Sequence, residues 1–226
     1  MNPTVAELAK MIDHSLLNPV MTDAELEAGC QVALEYDVAS VCIKPYYLAR
    51  CAELLAGSSV APSTTIGFPH GGHTMAMKVA EAQQALSDGG TELDMVVNIG
   101  KVLSGDWAYV QADIGAVVEA THAGGGIVKV IFENCFLSDE QKIRLCTICG
   151  EVGADFVKTS TGYGKGGATI DDLKLMRAHA PAGVQVKAAG GVRTLDGLLE
   201  VRAAGATRCG ATRTIEMLTE AKARFG

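Results

Sequence analysis

The sequence predicts a single α/β domain over residues 1–226: a closed (β/α)8 barrel of the TIM type with a short extra N-terminal helix. Three observations carry this. Short runs with strand character recur eight times, at Asp13–Leu17, Ala39–Lys44, Ser63–Phe68, Glu92–Val97, Ile127–Phe132, Phe156–Thr161, Val184–Ala189 and Thr207–Thr212. Their starts lie 26, 24, 29, 35, 29, 28 and 23 residues apart, room in each interval for one strand, one helix and two short loops. Helical segments fill those intervals, and eight such units use the whole chain, which selects a closed barrel over an open doubly wound sheet.

The elements follow in order. The N-terminal segment to Lys10 lacks a basic region followed by an apolar run, so it is not a signal peptide. It reads as a short amphipathic helix with Val5, Leu8, Ala9 and Ile12 on one face. The first strand run, Asp13-His-Ser-Leu-Leu17, holds no β-branched residue and has the weakest pattern. Thr22-Asp-Ala-Glu25 and Ser138-Asp-Glu-Gln141 are capping boxes that open helices to about Tyr36 and Cys149. Between Asp106 and His122, Val110, Ile114, Val117 and Val118 share one face, as a helix laid on a barrel requires. Small-residue turns precede four of the strands: Asp88-Gly-Gly90, Ala123-Gly-Gly-Gly126, Val152-Gly-Ala154 and Ala204-Gly-Ala206. They end helices and enter strands on the bottom face. No linker or low-complexity segment divides the chain.

Bulk composition narrows the function classes. Nineteen Lys+Arg against 26 Asp+Glu give a net charge of −7, so the chain has no general attraction to nucleic acid or anionic membrane. No apolar run is long enough to span a bilayer. Seven cysteines, an odd number scattered through apolar patterns, read as buried thiols in a reducing cytoplasm. Cys146 and Cys149 form a C-x-x-C, but within a helical pattern, as two small core residues one turn apart.

Charges appear where a barrel should be apolar. Parallel strands covered on both faces are near-continuous hydrophobic runs. Asp94, Lys158 and Lys187 interrupt three of them, each near the middle or carboxyl end of its strand. A structural ion pair of Asp94 with one lysine is the plain alternative. Three charges on three strands, all towards the end where barrel active sites lie, favour chemistry instead. A lysine of ordinary pKa is only about 0.04% neutral at pH 7 and so is a poor nucleophile. Burial and a neighbouring cation release the free amine, which attacks a carbonyl to form a Schiff base. The protonated imine then stabilises the carbanion made when an aldol bond breaks, and a nearby carboxylate relays protons. Two lysines and one aspartate therefore point to a metal-free, cofactor-free aldolase. Lys129 is a fourth buried-looking charge, expected to pair structurally with Asp94 or Glu133.

Glycine-rich turns follow the last three strands: Gly162-Tyr-Gly-Lys-Gly-Gly167, Gly190-Gly-Val-Arg193 and Gly210-Ala-Thr-Arg213. Loops there, leading into helix N-termini, are where barrels hold phosphate. Gly162, Gly190, Gly191, Gly210 and Thr212 are the expected substrate and phosphate contacts, with Arg193 and Arg213 supplying charge. His70 and His73 raise a zinc-dependent alternative, for which no third ligand stands at suitable spacing.

Together these motifs identify a family. Ile12-Asp-His-Ser-Leu-Leu17, Ser40-Val-Cys-Ile43, Ile66-Gly-Phe-Pro69, Glu92-Leu-Asp-Met-Val-Val-Asn98, Phe156-Val-Lys-Thr-Ser-Thr-Gly162, Gly166-Gly-Ala-Thr169 and Gly190-Gly-Val-Arg-Thr194 resemble the deoxyribose-phosphate aldolases, class I aldolases, over essentially the whole chain. The resemblance implies that Lys158 is the Schiff-base lysine, Lys187 the nearby cation and proton shuttle, and Asp94 the relay carboxylate. It implies reversible cleavage of 2-deoxy-D-ribose 5-phosphate to D-glyceraldehyde 3-phosphate and acetaldehyde, in deoxynucleoside catabolism. The chain departs from the family pattern at Lys44, His70-Gly-Gly-His73, Ala188-Ala189 and Thr212-Arg213. A related phosphorylated sugar, or a non-catalytic phosphosugar-binding barrel, are the alternative readings. Barrels of this kind form homodimers or higher homo-oligomers through helix faces, although no surface patch is legible here.

Overall fold

The computed structural model describes residues 2–226, so Met1 of the predicted domain span lies outside the described residues. Eight parallel strands close into a barrel in chain order: β1 (Ile12–Leu16), β2 (Ser40–Ile43), β3 (Ala61–Ile66), β4 (Glu92–Val96), β5 (Ile127–Ile131), β6 (Phe156–Lys158), β7 (Gln185–Ala189) and β8 (Arg208–Ala211). Helix α1 (Val5–Ala9) precedes them. Around them lie α2 (Asp23–Glu35), α3 (Leu48–Leu55), α4 (Met75–Ser87), α5 (Ile99–Leu103), α6 (Trp107–Ala123), α7 (Asp139–Glu151), α8 (Ile170–His179), α9 (Leu195–Ala203) and α10 (Thr214–Phe225).

Local chemistry sets the boundaries. Thr22 and Ser138 cap α2 and α7 with complete capping boxes, as their spacing predicts, and Thr4 does the same for α1. Gly89, Gly125, Gly153 and Gly205 stand at φ of 89°, 76°, 77° and 100°, in the left-handed region that lets the chain leave a helix and turn back into a strand. These four glycines belong to the bottom-face turns.

The sixth strand needs correction. It spans Phe156–Lys158 and not Phe156–Thr161: the Thr159 amide still donates to the Lys187 carbonyl at 3.2 Å, but Thr161 finds another partner. The Thr159 hydroxyl donates to the Ala189 carbonyl at 3.2 Å, and the Thr161 amide donates to Glu133 Oε1 at 3.2 Å. Thr159 and Thr161 are β-branched and have strand propensity, but the Thr161 amide and hydroxyl both bond to Glu133 and draw the chain into a loop.

Inside and outside alternate along each strand. The outward set, including Val41, Ile43, Leu93, Met95, Val128, Val130, Val157 and Val186, is fully buried against the helices. The inward set is mostly polar, with Val96, Ile131 and Phe156 among the exceptions. Register places Ser40 beside Asp13, Cys42 beside Ser63, and Thr65 beside Asp94. It then sets Lys158 beside Lys187 and Lys187 beside Arg208. Short side chains on β2 and β3 leave the interior free for the long ones on β5 to β8.

Candidate active site

Asp94, on β4, lies at the centre of the interior with no exposed surface. Its Oδ2 accepts from Lys158 Nζ at 2.7 Å and from Lys187 Nζ at 2.6 Å, while Oδ1 accepts from Lys129 Nζ at 2.8 Å. One carboxylate therefore meets three ammonium groups, more than the one-to-one pairing that the sequence alone suggests. The surplus positive charge is held by carboxylates that sequence reasoning left unassigned. Asp13 Oδ2 lies 2.5 Å from Lys187 Nζ, and Glu92 Oε2 lies 2.7 Å from Lys129 Nζ. Arg208 closes the ring, reaching Asp13 Oδ1 at 2.5 Å and Glu92 Oε2 at 2.9 Å. Lys129 thus pairs with Asp94 and Glu92. Glu133, in a left-handed conformation at φ 58°, turns instead to Thr161.

A signal for the missed residues did exist. Glu92 stands two positions before Asp94, so if one faces the interior the other does too. Asp13 is a lone acid in a strand pattern with little else to anchor it. Arg208 stands two residues after a bottom-face turn, at the entry to a strand.

The cluster splits the lysines electrostatically. Lys187 is buried, which works against its charge, but Asp13 and Asp94 together outweigh this and raise its pKa above the ordinary lysine value. Lys129 is likewise held protonated. For Lys158, burial dominates, Asp94 opposes it, and the Lys187 ammonium adds to it; the net direction is down. Asp94, despite its burial, is held ionised well below the carboxylate range by Lys129, Lys158 and Lys187.

Above the cluster a cavity of about 950 Å³ opens at the carboxyl ends of the strands. Lys158 and Lys187 line it, as do Gly162, Gly190, Gly191, Arg193, Gly210, Thr212 and Arg213. Asp94 lies beneath the lining and reaches the cavity through the two lysines. The loops fit closely: a Cβ on Gly167 would lie 2.4 Å from the Gly190 carbonyl oxygen, so the turns after β6 and β7 pack backbone to backbone. Arg213, the N-cap of α10, is paired with Glu216 at 2.6 Å. Arg193 has no carboxylate at ion-pair distance among the described residues.

Other side chains singled out by their chemistry also have places. Cys42 lines the cavity, its thiol pushed up by burial and then by Asp94. His14 lines it too, with Nδ1 2.7 Å from the Thr214 hydroxyl, and burial lowers its pKa to about 4. Lys44 holds the loop between β1 and α2, donating to the carbonyls of Asn18 and Met21 at 3.1 and 3.0 Å. His70 and His73 are exposed in the loop after β3, and no group of three metal-ligating side chains converges among the described residues. Cys146 and Cys149 are buried in α7.

Comparison with known proteins adds a second line. The family model of DeoC/LacD family aldolases matches residues 7–212. The chain is 66% identical over 220 residues to deoxyribose-phosphate aldolase of Rhodopirellula baltica, covering 97% of this chain and 91% of that one. It is 47% identical to the deoxyribose-phosphate aldolase of Caldanaerobacter subterraneus over 220 residues, covering 97% and 95%. Among solved structures, the tetrameric deoxyribose phosphate aldolase of Aeropyrum pernix superposes with a TM-score of 0.89 at 30% identity, covering 98% of this chain and 93% of that one.

Proposed function

The chain belongs to the DeoC/LacD family of aldolases, and from that premise we propose that it cleaves 2-deoxy-D-ribose 5-phosphate reversibly to D-glyceraldehyde 3-phosphate and acetaldehyde through a Schiff base on Lys158. One observation carries the assignment to Lys158. It lines the cavity and has one carboxylate partner, Asp94, whereas Lys187 beside it has two.

The chemistry follows from that difference. The unprotonated Lys158 amine attacks the C1 aldehyde of the open-chain sugar, and loss of water gives the protonated imine. The C3 hydroxyl gives up its proton and the C2–C3 bond breaks. Its electron pair moves into the imine to form an enamine, and glyceraldehyde 3-phosphate leaves. Protonation at C2 and hydrolysis release acetaldehyde and restore the amine. Lys187 and Lys158 share Asp94 Oδ2, so a proton passes between them through one oxygen atom. Lys187, kept protonated by Asp13 and Asp94, is the acid of that pair. The phosphate is held at the other side of the cavity by the backbone of Gly162, Gly190, Gly191 and Gly210, with Thr212, Arg193 and Arg213 at the rim.

Borohydride added during turnover should trap acetaldehyde on Lys158, read by peptide mass. Absence of that adduct, with full activity retained in Lys158→Ala, would overturn the assignment. A non-catalytic barrel would bind the sugar phosphate in a calorimeter without releasing aldehyde. The same reading places the protein in a reducing cytoplasm, in keeping with seven unpaired cysteines and with no helix long and apolar enough to cross a membrane among the described residues. It is a homo-oligomer on this reading, supported by the tetrameric relative, and light scattering of the purified chain tests it.

A further inference from the structure

The floor of the barrel carries an imbalance. Four cations, Lys129, Lys158, Lys187 and Arg208, share three carboxylates, Asp13, Glu92 and Asp94. Each cation except Lys158 has two carboxylates within 3 Å, and Lys129 has a third, Asp13, at 3.6 Å. Arg208 takes Asp13 and Glu92; Lys129 takes Glu92 and Asp94; Lys187 takes Asp13 and Asp94. All seven groups are buried or nearly so, Arg208 being the most open at 14% side-chain exposure. A buried cluster with one net charge sheds it by losing a proton, and an arginine cannot supply that proton. The proton comes off the lysine with the fewest carboxylates.

We propose that Arg208 is a positioning residue for the aldolase reaction: by occupying Asp13 and Glu92 at the barrel floor, it leaves the cluster one carboxylate short, and Lys158 is the group that goes without a proton. Arg208 lies in the layer beneath the lysines and does not line the cavity. The inference rests on the reading of Lys158 as the Schiff-base amine and goes beyond the influence of its immediate neighbour Lys187. The titratable groups facing Lys158 are Cys42 on β2, Asp94 on β4 and Lys187 on β7; Asp13, Lys129 and Arg208 act on it through Asp94 and Lys187. Those facing Arg208 are Asp13, Glu92, Lys129, Lys187 and the Phe156 ring, whose centroid lies 5.5 Å from its guanidinium carbon. Removing Arg208 leaves three cations and three carboxylates, so Lys158 keeps its proton. Removing Glu92 makes the shortage worse, so Lys158 loses its proton more readily. Removing both restores the original excess of one.

The test is the pH dependence of Lys158 alkylation by acetaldehyde and cyanoborohydride, followed by peptide mass. Acetaldehyde carries no phosphate, so no substrate titration intrudes. In Arg208→Met the midpoint moves up by about one pH unit, in Glu92→Gln it moves down by a similar amount, and in the double variant it returns towards that of the unaltered protein. Arg208→Lys, which keeps the cation, leaves it in place. If Arg208→Met does not fold, Glu92→Gln and the double variant make the same test. A midpoint that stays put in folded variants, or that moves the same way in both single variants, overturns the role of Arg208 while the Schiff-base reading stands. Absence of any Lys158 adduct in the unaltered protein overturns that reading, and the inference with it.

Discussion

Two sites in this molecule bury lysine ammonium groups completely, and they serve opposite ends. Between α4 and α6, Lys78 donates to Asp113 Oδ2 at 2.5 Å and to the Val96 carbonyl at 2.9 Å. That is one cation and one anion, with 0% and 1% of their side chains exposed, closed off from any described cavity. In the barrel interior, four cations share three carboxylates beneath an opening of about 950 Å³. Burial pulls both Lys78 and Lys158 below the ordinary lysine range. A depressed lysine is therefore no sufficient mark of an active site. What separates the two is access, together with a charge count that does not balance: the matched pair is closed off, and the mismatched cluster, where we propose the reactive amine, lies beneath an opening.

Substitutions can break this contrast. The largest effect is expected from Lys187→Leu, which removes a cation from the cluster and the group proposed as the acid of the shared-oxygen pair. Its rate of aldol cleavage should fall on the order of 10²–10⁴-fold, with the acid limb of the pH–rate profile moved to higher pH. An unchanged profile would show that Lys187 has no hold over Lys158.

Lys78→Met probes the matched pair. Leaving Asp113 buried and unpaired should lower stability by about 3–5 kcal/mol in urea unfolding, and adding Asp113→Leu should recover most of that. The pH midpoint for Lys158 alkylation should not move. If it does, the two sites are coupled and the contrast fails.

His14 sharpens the comparison from a third direction, because its partner is a hydroxyl and not a charge. Its folded pKa of about 4 lies below the unfolded value, so between those values the unfolded chain binds a proton that the folded chain does not. Stability from this group is full above about pH 6.5 and is lost as pH falls towards 4, about 3 kcal/mol in all. His14→Asn should flatten that part of the stability curve. A slope identical to that of the unaltered protein would locate the acid sensitivity elsewhere.

The sequence made some of this legible and hid the rest for physical reasons. Recurrence of strand runs and capping boxes is local, so seven strands lie within about two residues of their expected bounds. β6 ends early because the group that draws Thr161 away from the ladder, the Glu133 carboxylate, is distant in sequence. The lysines and Asp94 stand out because charges in apolar runs are conspicuous. Asp13 and Arg208 do not, since each sits at the edge of a run where a charge is ordinary. Their pairing depends on closure of the ring, which brings β8 alongside β1, and no local pattern announces it.

The register of the ladder has one more consequence. Lys158, Lys187 and Arg208 are successive neighbours across β6, β7 and β8. Sliding β7 by a single residue would carry Val186 or Ala188 into the interior and swing the Lys187 side chain out among the helices. Insertions and deletions inside these strands are thus barred by chemistry as well as by packing. Changes of length can be absorbed only in the loops, where they reshape what the enzyme accepts and leave untouched how it reacts.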